Sequence, residues 1–71
     1  MDYKKFYTEE IVDWINQSNQ MAIKYGLQSN DFWIWVMQSA GELSDKYQNA
    51  PLVQKQMIML INYLEDVSVG R

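Results

Sequence analysis

Residues 31–48 read DFWIWVMQSAGELSDKYQ, and this stretch decides the fold. At about 100° per residue, Phe32, Trp33, Val36, Met37, Ala40, Leu43 and Tyr47 share one face. The spacing predicts an amphipathic helix, with Ser29 or Asn30 as its cap. Trp35 falls on the other side, among Gln38, Glu42, Asp45 and Lys46. A large aromatic among polar groups either packs on a second surface or awaits a partner. Gly41 sits mid-helix, where glycine costs about 1 kcal/mol relative to alanine. Close approach of a neighbouring helix beside Ala40 is the expected reason.

The flanks repeat the helical period. Upstream, Ile11, Trp14, Ile15, Ser18, Met21, Ala22 and Tyr25 fall on one face, which predicts a helix over about residues 8–25. Thr8 is its expected N-cap, with Glu9 and Glu10 at the positive end of the helix dipole. Gly26 is expected to end it in the left-handed conformation. Downstream, Pro51 suits a first helical position and opens a third helix over about residues 51–67. Val53, Met57, Leu60, Ile61, Leu64 and Val67 form its main stripe, and Leu52, Met59 and Tyr63 a second one beside it. An apolar arc of roughly 200° is wider than one neighbour needs. The second neighbour is either another helix of the same chain or a second copy. Residues 1–7 and 68–71 read as loosely held ends, with Tyr3, Phe6 and Tyr7 available for packing.

These elements specify an all-α fold, a single domain over residues 1–71. Connections of about four residues make consecutive helices antiparallel neighbours. The default is an up-down-up three-helix bundle. The alternative is a more splayed arrangement completed by dimerisation. Met21, Met37 and Met57 are expected in the core.

A chain of 71 residues has little core to spend. Such a domain buries only about 60% of the surface its unfolded chain exposes, and its core supplies roughly 3–5 kcal/mol. Cysteine is absent, so no disulfide helps. Histidine is absent too, which removes the usual general base and the commonest transition-metal ligand. The serines therefore have no imidazole to activate them. Dense aromatic packing, from three Trp, five Tyr and two Phe, or self-association is left.

The net charge of −3 argues against binding nucleic acid or an anionic membrane. A helix-turn-helix reader would fit three short helices, but Lys46 and Lys55 are the only basic residues of helices 2 and 3. No secretory signal and no membrane-spanning stretch is visible, so a cytoplasmic location is expected. The preference for lysine over arginine, with many amides, points to an AT-rich bacterial or phage genome.

Two acidic spacings raise a metal site as a possibility: Glu9, Glu10 and Asp13 on helix 1, and Glu42 and Asp45 on helix 2. Acids at a helix start and on a solvated face explain the same residues. The run from Trp35 to Leu43, between an amphipathic and a hydrophobic helix, resembles the MazG-type all-α nucleotide pyrophosphohydrolases. That family carries E-E-x-x-E followed by a G-E-L-like tripeptide, then a later E-x-x-D. Glu42 matches the last acid of the first motif. Gln38 and Ser39 stand where the two leading acids belong, and Lys55, Gln56 and Met59 occupy the region of the second motif. The resemblance therefore implies a copy without hydrolase activity.

The function expected is that of a small non-enzymatic interaction protein, a regulator, inhibitor or accessory factor. It would bury an apolar patch against another protein or a second copy, using Ile34 and Trp35 on helix 2 and Leu52, Met59 and Tyr63 on helix 3. No cofactor or metal is expected. The alternatives are a MazG-like hydrolase, which Mg²⁺ binding would reveal, and a DNA-binding regulator, which salt-dependent DNA binding would reveal.

Overall fold

The computed structural model describes residues 2–69. Met1, Gly70 and Arg71, expected as loose ends, lie outside the described residues. Among the described residues the chain forms three helices and no strand, an all-α three-helix bundle.

The first helix, α1, is continuous over residues 3–25 and starts earlier than the sequence suggests. Asp2 is the cap, its carboxylate accepting from the Lys5 N–H at 3.0 Å. Thr8 lies inside the helix, where its hydroxyl donates to the Lys4 carbonyl at 2.7 Å instead of capping. The cause of the early start is Phe6, which is fully buried. Its ring packs edge-on to Tyr47, with centroids 5.4 Å apart.

Burying Phe6 requires a change of helical pitch. Ile11, Trp14 and Ser18 are buried at ordinary α-helical spacing. Extending that spacing backwards by one turn would bury Tyr7 and turn Phe6 away. The segment Phe6–Ile11 is a π-helix, between an α-helical turn at Tyr3–Lys5 and the α-helix Val12–Tyr25. Bonds from i to i+5 place residues five apart on one side. Phe6 and Ile11 are thereby both buried, and Tyr7 is left at the surface.

Gly26 ends α1 with φ 87° and ψ 146°, its N–H reaching the Ala22 carbonyl at 2.8 Å. The φ is positive, as expected, but the ψ is extended, a combination essentially restricted to glycine. Ser29 then caps α2 (Asn30–Lys46) by accepting from the Asp31 N–H at 3.1 Å. The end of α2 is a Schellman turn. The Asn49 N–H reaches the Ser44 carbonyl at 2.8 Å, and that of Gln48 reaches Asp45 at 2.9 Å. Gln48 and Asn49 both have φ 58°, the left-handed region that glycine fills without cost. Pro51 opens α3 (Pro51–Ser68) at the first helical turn.

Cross-helix contacts fix the directions. Residues 6, 10 and 14 of α1 meet 47, 46 and 39 of α2 in turn, so these helices are antiparallel. Tyr7 donates to Gln56 Oε1 at 3.1 Å, and the Gln28 amide donates to the Ser68 carbonyl. These put the start of α3 beside the start of α1 and its end beside the first turn, giving up-down-up order. The molecule measures 34 × 18 × 18 Å, and its long axis matches the length of α1 at about 1.5 Å per residue. α2 is the middle element: its backbone comes close to both neighbours, whereas no Cα of α1 lies within 8 Å of one in α3. The gap is filled by side chains. The core joins Phe6, Ile11 and Trp14 of α1, Phe32, Val36 and Ala40 of α2, and Val53 and Met57 of α3.

Two expectations about α2 are corrected. Met37 is exposed rather than in the core. It lies on the flank of the Phe32–Val36–Ala40 stripe that neither neighbour covers. Gly41 meets no close neighbour, since a Cβ built there would have nothing within 4 Å. With no contact to preserve, Gly41→Ala should raise stability by about 1 kcal/mol. Gln48→Gly should add a similar amount, about 1 kcal/mol, by relieving the left-handed backbone. Urea denaturation midpoints of the two variants and their combination check both gains and their additivity.

Candidate functional site

The side of α2 that carries Trp35 is the side that meets α1. Trp35 is half-buried and packs against the core. Its ring stacks on Trp14 of α1, with centroids 5.4 Å apart and planes 22° apart. The Trp14 indole N–H donates to Ser39 Oγ at 2.8 Å, and that hydroxyl donates to the Val36 carbonyl at 3.2 Å. Three residues earlier in α1 than Trp14, Ile11 enters the core; one residue before that, Glu10 pairs with Lys46 at 2.9 Å. The polar face read around Trp35 is thus a helix–helix seam. A central helix must serve two neighbours, so its contact surface is wider than the single stripe at its centre. Trp33 lies on the opposite flank, half-buried, with its indole N–H donating to the Leu27 carbonyl at 2.8 Å.

A cleft of about 220 Å³ opens along the α1–α2 seam. Glu10, Asp13 and Gln17 line it from α1, and Ser39, Glu42 and Lys46 from α2. Two of its three acids have local partners. Glu10 holds Lys46, and Asp13 accepts from the Gln17 amide at 2.7 Å. Glu9 and Asp45 are exposed. Among the described residues no group of three acids is placed to hold a metal ion. Ser39, at one position where the pyrophosphohydrolase motif needs an acid, is instead the hydrogen-bond partner of Trp14.

The electrostatics of the cleft centre on Glu10. Its hydrogen-bonding contact with Lys46, and then its charge, raise the Lys46 ammonium above the ordinary 10.5. The Tyr47 phenol is also pushed up from 10.0, by burial first and then by the Glu10 carboxylate.

The remaining residues expected to bind a partner are at the surface. Exposure is 37% for Leu52, 56% for Met59 and 64% for Tyr63, which form one strip on the outer side of α3. Ile34 is 53% exposed and Met37 60%, and with Asn30, Trp33 and Gln38 they line a shallow apolar groove made by α2 alone. The two patches are separate features, and Trp35 belongs to neither lining. Sequence reasoning missed Met37 and Ile58 as exposed groups. The signal for Met37 was its place at the margin of the α2 stripe, one turn from Ile34.

The Trp14–Trp35 stack makes Trp35 part of the fold, so Trp35→Ala should destabilise the chain by about 3 kcal/mol, at the low end for a buried aromatic. Denaturation should show this loss at every protein concentration. A pH effect follows from the Glu10 neighbourhood. Lys46 and Tyr47 both hold their protons more tightly when folded. Their contribution is full below the unfolded values and is lost as pH rises through the folded ones. Thermal midpoints should therefore fall above about pH 10, and Glu10→Gln should flatten that fall.

No protein-family model, no curated protein and no solved structure matches this chain.

Proposed function

We propose that this chain is a small, non-enzymatic interaction module that works by burying apolar surface against another protein chain. The observation that carries the reading is the Leu52–Met59–Tyr63 strip, exposed along α3. The groove at Ile34 and Met37 on α2 adds to it. Scattered apolar residues on a surface are ordinary, but aligned ones one or two turns apart make a patch that water disfavours. Three helices with a small shared core have little stability to spare, so leaving such a strip exposed has a purpose only if something covers it.

The chemistry of the chain supports a binding role over a catalytic one. Neither histidine nor cysteine occurs in the sequence. The carboxylate best placed in the cleft, Glu10, is neutralised by Lys46. The net charge of −3 favours a protein partner over nucleic acid or an anionic membrane. A cytoplasmic location belongs to this reading, supported by a cysteine-free sequence in so small a domain. Among the described residues no helix is long and apolar enough to cross a membrane. Regulator, inhibitor and accessory factor are the roles open to such a module.

Two measurements test the proposal. Met59→Glu and Tyr63→Glu, each with a helical circular dichroism spectrum like the wild type's, should abolish association with whatever chain covers α3. Binding that survives both would overturn the choice of surface. Incubation with nucleoside triphosphates and Mg²⁺ should release no pyrophosphate. Turnover that vanishes in Glu42→Gln would overturn the non-enzymatic reading.

A further inference from the structure

The outer face of α3 carries charges as well as apolar groups, and their order along the helix is informative. Lys55 and Asp66 are both exposed and have no ion-pair partner among the described residues. They are eleven residues apart, hence about 20° apart around the axis and about 17 Å apart along it. Both therefore lie on one line down the outer face, next to Met59. The strip of Leu52, Met59 and Tyr63 runs along one margin of this line, and Ile58, also exposed, lies near the other.

We infer that a second copy of this chain covers this face, packed antiparallel through α3 about a two-fold axis level with Leu60 and Ile61. The inference rests on the interaction reading above and names its partner. In that arrangement, residues whose numbers sum to the same value stand opposite each other. Lys55 of one copy faces Asp66 of the second copy, and the symmetry repeats the pair. Met59 comes to lie beside Tyr63 of the second copy, on the same side of the charged line, so the apolar strips meet each other. A parallel pairing would instead set Lys55 near Lys55 and Asp66 near Asp66. Like charges across an interface oppose association, so charge selects the antiparallel register. A face that complements itself under a two-fold rotation is what an isologous dimer requires. An unrelated protein would have to supply the same spacing of opposite charges.

The face of one helix is smaller than a standard interface, so the dimer should be of micromolar strength and concentration-dependent. Sedimentation equilibrium on the full chain tests it, using wild type, Lys55→Asp, Asp66→Lys and the double reversal. Each single reversal sets like charges opposite one another twice per dimer and should weaken association by about tenfold or more. The double reversal recreates both pairs with exchanged signs and should recover to within about threefold of wild type. Rescue of this kind supports the arrangement, because a merely structural defect would not be repaired by a second charge change. A wild type that stays monomeric at several hundred micromolar overturns it. So does a dimer indifferent to the reversals, or a double reversal no better than the singles. Ile34→Glu on α2 separates this failure from that of the broader reading. If Ile34→Glu dissociates the dimer and the reversals do not, the α3 pairing is wrong while the module still binds. If wild type neither self-associates nor loses a bound chain on Met59→Glu, both readings fall.

Discussion

Trp14 and Trp35 lie nearly face to face across the seam between α1 and α2, and the other contacts along that seam take their positions from them. Two flat rings slide along a helix axis unless something stops them. The hydrogen bond from the Trp14 indole to Ser39 is the stop. With residue 14 set against 35 and 39, antiparallel geometry carries Glu10 to Lys46 and Phe6 to Tyr47. α1 and α3 remain apart at the backbone level while sharing a core, and the long Tyr7 side chain reaches across to Gln56. A bundle this small achieves its packing with a few large rings rather than with many small contacts.

Much of this was legible in the sequence because helices announce themselves by period. The three helices, the short links at Gly26 and Asn49, the cap at Ser29 and the role of Pro51 all followed from local chemistry. So did the burial of Phe32, Val36, Val53 and Met57, which sit at the centres of their stripes. The failures share one cause. A hydrophobic period locates the centre of a face but not its width or its neighbours. Trp35 and Met37 lie on opposite margins of the α2 stripe, and only the placement of α1 made one a core residue and the other a surface residue. Gly41 was expected beside a neighbour for the same reason, whereas it faces the side of α2 that no other helix occupies. The early start of α1 was hidden more deeply. A search at a single period cannot find a helix whose pitch changes within it, so Phe6 was left among the loosely held N-terminal residues and Thr8 looked like a cap.

The surface left over by these choices is what motivates the binding role proposed for this chain. α2 spends its two flanks on α1 and α3, and α3 spends its inner side on both. What remains is the back of α2 at Ile34 and Met37 and the back of α3 at Leu52, Met59 and Tyr63. Each presents apolar side chains to water beside polar ones, Asn30 and Gln38 on α2 and Lys55 and Asp66 on α3, while Glu10 and Asp13, two of the acids that might have supported chemistry, are partnered within the α1–α2 seam. Stability and surface are thus set by the same allocation of side chains.

The π-helical segment at Phe6–Ile11 has an evolutionary consequence. A π turn is an α-helix that has accepted one extra residue, and the surplus is confined to the span between two buried anchors. Loss of a single residue there, for example Thr8, would leave Phe6 and Ile11 four apart and restore ordinary α-helical bonding with both still facing inward. Elsewhere in the bundle a one-residue deletion would turn the remainder of a helix by about 100° and scramble its contacts. The π-helical segment is therefore a place within a helix where the chain could lose one residue and keep this core, with Phe6 rather than the chain start as the fixed point.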